Sequence, residues 1–144
     1  MKNNNTKWVL GHLINPVQVS GNYDMVMGTT PASTQGPPPH LHNTYNEVFI
    51  VTKGEMQFVI NNTPVTVKEG ESIDLPIGTV HTFANNTDAD CTWINIHSPK
   101  GFSSFFNDFG IESVDTESKM KSVDKAIIEK VIKTAHEYDM HIKM

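Results

Sequence analysis

The chain has 144 residues, and its 11 basic against 16 acidic side chains leave a formal charge of −5. That length suits one domain, expected over 1–144, and a content of 38% hydrophobic and 19% charged residues belongs to a folded protein rather than a disordered one. No basic cluster forms a stripe that could track phosphates, so no nucleic-acid partner is expected, and the lone Cys91 excludes an internal disulfide and any site built on sulfur pairs.

In chain order, Lys2 and the tract Asn3, Asn4, Asn5 precede an apolar run over 8–14 that Gly11 and His12 interrupt. The run is too short and too polar for a signal or membrane-spanning segment, which predicts a cytoplasmic protein without a membrane partner. From about residue 7 to residue 98, short β-type runs alternate with turn residues, the spacing of an all-β sandwich or barrel. The predicted strands are 8–13, 23–29, 47–52, 57–60, 63–67, 72–75, 80–84 and 91–97. Between them Lys53-Gly54, Asn61-Asn62, Glu69-Gly70 and Asn85-Asn86 supply residues tolerant of positive φ, so sequential hairpins follow. Gly36-Pro37-Pro38-Pro39 reads as a stiff, extended approach to the next segment.

Beyond His97 the period changes. Phe102, Phe105, Phe106 and Phe109 recur at helical spacing with Gly110 as the stop. A second helix is predicted over 124–138, with Asp124 as its N-cap and Ile127, Ile128, Val131, Ile132 and Ala135 as its apolar stripe. Both lie in an extension over about 101–144, expected to pack on the outside of the barrel and to contribute no chemistry. His12, His136 and His141 are read as exposed side chains.

The residues that carry chemistry are His40-Leu41-His42, then Glu47, and His81 well downstream. Alternate side chains of an extended strand share a face, so His40 and His42 point the same way and form an i, i+2 chelate. Glu47 can swing back to that side after 43–46, and His81 closes the site from a distant strand. Three imidazoles and one carboxylate suit one divalent Fe, Mn, Co, Ni, Cu or Zn better than Ca or Mg. A mixed set that leaves room for water or substrate points to catalysis or ligand binding rather than to a closed structural zinc site.

The spacing of these residues resembles the cupin superfamily. Its first motif places H-x-H, a Glu and a Gly as His40, His42, Glu47 and Gly54 stand here; its second, G-x5-P-x-G-x2-H-x3-N, is met by Gly70, Pro76, Gly78, His81 and Asn85. The leading Gly of the first motif is missing, with Thr34 and Gly36 around its place, a departure that touches a turn and not a ligand. Gly70 and Gly78 allow tight turns and Pro76 stiffens the bend that brings in His81, while Asn85 ties down a turn. The resemblance implies a single cupin-type β-barrel, a double-stranded β-helix or jelly roll, with His40, His42, Glu47 and His81 as metal ligands. It also implies a homodimer paired through edge strands. The Pro-rich approach, the segment Gly101-Phe102 with Phe105-Phe106, and the C-terminal helix look like the quercetin-dioxygenase-like branch.

Strand alternation sets Phe49 and Val51 on the side of Glu47, Phe83 on the side of His81, and Trp93, Asn95 and His97 on one face. Phe49, Phe83, Trp93 and His97, with Tyr45 at the mouth, are the candidate lining of an apolar substrate pocket, His97 as a supporting donor or an acid/base. The leading functional expectation is a dioxygenase-type oxidoreductase acting on a small enol or phenol, with Glu47 as ligand and general base. Two alternatives stand beside it: a non-redox, metal-dependent isomerase of sugars or keto acids, and a module that binds a small metabolite without turnover. The fold does not choose among them.

Overall fold

The computed structural model describes residues 5–143, so Lys2, Asn3 and Asn4 lie outside the described residues. Turn chemistry cuts the chain into strands that run β1 (Lys7–Val9), β2 (His12–Val17), β3 (Asp24–Thr30), β4 (Thr34–Gln35), β5 (His40–Leu41), β6 (Asn46–Lys53) and β7 (Glu55–Ile60). They continue as β8 (Thr63–Lys68), β9 (Ser72–Leu75), β10 (His81–Asn85), β11 (Cys91–Ser98), β12 (Ile111–Glu112) and β13 (His141–Ile142). Among the described residues these strands build one seven-stranded sheet, β12-β1-β2-β3-β11-β6-β9, and one six-stranded sheet, β13-β5-β10-β7-β8, with β4 paired to β10. All pairings are antiparallel, and the result is the jelly-roll barrel with short C-terminal helices that the sequence predicts.

Turns form where residues accept positive φ: Gly54 at 80°, Asn61 and Asn62 at 47° and 70°, and Gly70 and Gly78 both at 83°. Of these Asn61-Asn62 closes a hairpin, between β7 and β8, whereas Gly54, Gly70 and Gly78 carry the chain from one sheet to the other, so the expected run of sequential hairpins does not form there. The predicted strand 8–13 is two strands, because Leu10 and Gly11 turn the chain at φ 49° and 86°. An apolar Leu in the run hid that turn. Asn85-Asn86 is not a positive-φ turn; Asn85 is the last residue of β10, and its side-chain amide donates to the carbonyls of Thr30, Pro31 and Ala89. It ties the turn down with its side chain instead.

Inward-facing rings from both sheets meet in the core. Phe49 of β6 lies 5.2 Å from Phe58 and from Phe83, and 5.3 Å from Trp93, in edge or tilted contact. Gly36 lets the proline segment run against β10, since a Cβ there would come within 2.0 Å of the Phe83 carbonyl.

The C-terminal part departs from expectation. Helix α1 (Ser103–Phe109) begins one residue after Phe102 and stops at Gly110, which is extended at φ −73°; glycine is needed there because a Cβ would meet the Phe106 carbonyl at 2.4 Å. A short helix α2 (Ser118–Lys121) precedes α3 (Lys125–Thr134), and Ala135–Tyr138 tightens into a 3-10 turn. Asp124 is the N-cap by position but makes no side-chain cap bond. Of the predicted stripe, Val131 and Ala135 are buried whereas Ile128 and Ile132 are 39% and 44% exposed. The helical period was right, and the docking face is narrower than the stripe. No helix among the described residues is long and apolar enough to cross a membrane.

Candidate metal centre

Two cross-strand pairs and one loop residue make the site. In the six-stranded sheet His40 of β5 stands directly opposite His81 of β10; in the seven-stranded sheet Glu47 of β6 stands opposite His97 of β11. Paired residues on neighbouring strands have adjacent side chains, so register alone brings each pair together. His42 follows β5, two positions after His40, and its side chain falls between the pairs. The ring centroids lie 4.4 Å apart for His40 and His81, 5.1 Å for His40 and His42, and 5.6 Å for His42 and His81. Ligand atoms of His40, His42 and His81 lie within 4.8 Å of one another, as do those of His42, Glu47 and His97. All five side chains are buried.

The protonation pattern follows from the main chain. His40 Nδ1 is 2.9 Å from the Pro38 carbonyl, His42 Nδ1 2.7 Å from the Asp139 carbonyl, and His81 Nδ1 2.9 Å from the Thr79 carbonyl. A carbonyl only accepts, so each Nδ1 carries the proton and each neutral ring presents a bare Nε2 lone pair to the cluster. Facing them is another acceptor: Glu47 Oε2 sits 3.0 Å from His81 Nε2 and 3.3 Å from His42 Nε2. These contacts are not well-formed hydrogen bonds, and Glu47 Oε2 and His81 Nε2 end without a partner. Buried acceptors turned on one another demand a cation between them, a proton or a metal ion. The donor set therefore fits a divalent metal.

Charge follows the same logic. Burial, then the neighbouring His81 and His42, push His40 down to about 3, so it stays a neutral donor at physiological pH. Burial also opposes protonation of His42, but the nearby Glu47 carboxylate outweighs it and raises its pKa. Burial would raise Glu47, yet His97, His42 and His81 together hold its carboxyl well below the ordinary carboxylate range. Glu47 Oε1 is fixed by Asn95, whose amide donates at 2.9 Å, and lies 3.4 Å from His97 Nε2.

A cavity of about 90 Å³ opens on this cluster. Among its lining residues are Ile14, Phe49, Phe83, Trp93, Phe102, Phe106 and Met140, together with His12, Asn95 and members of the cluster itself. Phe102 stacks on His97 at 4.7 Å and 17°. The start of α1 is held for this: Asp24 Oδ2 accepts from the main-chain N–H groups of Gly101, Phe102 and Ser103.

The structure thus brings His40, His42, Glu47 and His81 together, and sets Phe49, Phe83, Trp93 and His97 on the cavity wall. Tyr45 is partly exposed and contacts His42, His97 and Phe102 at the edge of the cluster without lining the cavity. Three expectations are corrected. His12 is buried and lines the cavity, because β2 starts at that residue and turns its side chain inward. Phe102, Phe105 and Phe106 do not pack on the outside but close one end of the cavity. The C-terminal segment is not remote packing: β13 pairs with β5, and Asp139 supplies the carbonyl that orients His42. Sequence reasoning missed Asn95 and Asp139 as supports. The inward alternation of β11 pointed at Asn95, whereas nothing in the local sequence marked Asp139.

A family model described as "Cupin domain" matches residues 26–97. Among curated proteins, none matches. Solved structures share the fold. A sugar phosphate isomerase from a cupin superfamily, from Silicibacter pomeroyi, is 20% identical with a TM-score of 0.58 over 63% of this chain and 61% of its own. This chain therefore spans less than two thirds of that protein's length. KdgF from Halomonas sp. is 19% identical at a TM-score of 0.58, covering 62% of this chain and 80% of that one. An RmlC-like cupin from Shewanella frigidimarina is 16% identical at a TM-score of 0.60, covering 69% and 86%.

Proposed function

Taking as premise that this chain belongs to the cupin domain family, we propose that it is a metal-dependent oxidoreductase of dioxygenase type acting on a small enol or phenol. The observation that carries this reading is the junction of a three-His, one-Glu donor set with a cavity whose other walls are mostly aromatic and aliphatic. His40, His42, His81 and Glu47 would hold one divalent transition metal. When bound, that ion supplies Lewis acidity that lowers the pKa of a coordinated hydroxyl and a meeting point for O2.

This chain's residues do the rest. The carbonyls of Pro38, Thr79 and Asp139 keep the three Nε2 lone pairs aimed inward. Glu47 is the base for the substrate hydroxyl proton; Asn95 steadies its Oε1, and His97 Nε2 at 3.4 Å is the next station for that proton. Phe102 and Phe106 keep water from the reacting centre.

Lewis-acid isomerisation of a sugar or keto acid is the second reading, favoured by the similarity in fold to a protein named a sugar phosphate isomerase. A phosphorylated substrate is a poor match, because no lysine lines the cavity and the sequence contains no arginine. Elemental analysis of protein purified without added metal, followed by oxygen-uptake assays on apo protein reloaded with Fe, Mn, Ni, Cu or Zn, tests the proposal. Oxygen uptake with a redox-active metal and none with zinc supports the oxidoreductase. Full turnover with zinc establishes the isomerase, and tight binding without turnover under any metal establishes a binding module.

A further inference from the structure

The outer face of the seven-stranded sheet is apolar where water is expected. An antiparallel sheet that packs on its core by one face ordinarily turns polar side chains outward from the other. Here alternation sends Glu47, Phe49, Trp93 and Asn95 inward and leaves two cross-strand rows outside: Met27, Ile94 and Ile50 in one, Met25, Ile96 and Val48 in the other. None of the six belongs to the buried core, and Met27 is 51% exposed. The first row ends in Asn15 and Ser72 and the second in Val17 and Asp74, so Asp74 is the single charge in either.

Size, shape and charge select a second copy of this chain as the cover. At about 4.8 Å between strands and 3.3 Å per residue, the strands of this sheet project roughly 600 Å². The accessible area of the side chains standing on them exceeds that projection, which brings the face to the size of one side of a stable dimer interface, about 800 Å². Met27 stands beside a depression of about 410 Å³ walled by Leu13, Asn15, Thr29 and Thr92. A projection and a recess on one face are what a twofold contact needs, since each copy can lodge its flexible Met27 in the recess of the other. The chain carries a charge of −5, so two copies meet at least cost where the surface is nearly uncharged. The sheet edges offer less: β12 and β13 have two residues each, β9 has four, and Pro64 interrupts the donors of β8.

We propose that this face is the interface of a homodimer in which two copies stack sheet on sheet about a twofold axis, pairing through faces and not through edge strands. The inference is independent of the activity proposed above. It leaves the cavity free, because Ile94 and Ile96 alternate along β11 with the cavity-lining Trp93, Asn95 and His97.

Sedimentation equilibrium of the full chain should give twice 16.1 kDa, with a dissociation constant below about 10 µM. Ile94→Lys, at a position that faces outward in the single chain, places one unpaired charge per copy in the contact and should raise that constant at least about 100-fold. Ile132→Lys, on the exposed side of α3, should leave it unchanged. A wild type that stays monomeric at about 100 µM, or an Ile94→Lys protein that folds and remains dimeric, overturns the proposal. Methionine oxidation by peroxide in the wild type decides the matter without any variant, with Met120, 71% exposed on α2, as internal reference. Met27 should react several-fold more slowly than Met120 in the dimer, and the gap should narrow on dilution. A dimer whose Met27 oxidises as fast as Met120, or at a rate that ignores dilution, overturns the proposal.

Discussion

Deleting residues 139–144 tests whether the C-terminal segment is part of the metal centre. The deletion removes the Asp139 carbonyl that receives His42 Nδ1 at 2.7 Å, and the Asp139 carboxylate that accepts from the main-chain N–H groups of Asn43 and Thr44 at 3.0 and 2.7 Å. It also removes Met140, 3% exposed, and the pairing of β13 with β5. Burial of Met140, one neutral hydrogen bond and one charge-assisted cap are together worth on the order of 4–7 kcal/mol, so the shortened chain should melt far below the full one. Below its melting temperature it should bind metal about 10- to 100-fold more weakly, because His42 has lost the group that fixes its tautomer. Asp139→Gly separates the two effects. Residue 139 sits at φ 58°, where glycine is comfortable, and the substitution keeps the carbonyl while deleting the carboxylate. It should lower stability by about 1.5–3 kcal/mol yet leave metal affinity within a few-fold of wild type. Thermal unfolding and chelator competition measure both. A chain cut at 138 that melts like wild type and holds metal as tightly would refute the coupling of tail to site.

Further outcomes follow from the same geometry. His40→Ala, His42→Ala and His81→Ala should each lose most of the bound metal while staying folded, and stoichiometric metal in all three by elemental analysis would remove the site assignment. Glu47→Gln should retain some metal but lose turnover, since an amide is a weaker ligand and no base. Burial, tempered by the Gln35 main chain, lowers His12 to about 4. A histidine depressed in the fold is protonated first in the unfolded chain, so stability is full above about pH 6.5 and falls on acidification toward pH 4, by at most about 1.4 kcal/mol per pH unit. Equilibrium unfolding across that window should show a shallower slope for His12→Phe, and equal slopes would mean that His12 does not titrate as its burial requires. Gly36→Ala drives a Cβ to within 2.0 Å of the Phe83 carbonyl, so the melting temperature should drop by several degrees or more; an unchanged value would show that the proline segment can retreat from β10.

The longer strands, the turns at Gly54, Asn61-Asn62 and Gly70, and the four candidate ligands could be read from the chain because each rests on local chemistry: alternation, positive φ, and donor types at fixed spacing. That Gly54 and Gly70 pass the chain between sheets instead of closing hairpins was decided by long-range pairing. The family pattern was legible for the same reason, its residues lying between 40 and 85 in an order that tight turns convert directly into geometry. Other features were decided by contacts between distant segments. His12 looked like an exposed polar residue until the Leu10-Gly11 turn reset the register of β2 and faced it inward beside Thr30 and Trp93. Asp139 looked like the loop after a helix, and it became a support of His42 only when β13 closed on β5 across 97 residues of chain. The phenylalanines of α1 were correctly read as apolar, but periodicity cannot say which apolar surface a helix covers; the bonds from Asp24 to the start of that helix set them over the cavity. Local spacing fixes which side chains can act together, whereas long-range register and docking fix what orients them and what closes over them.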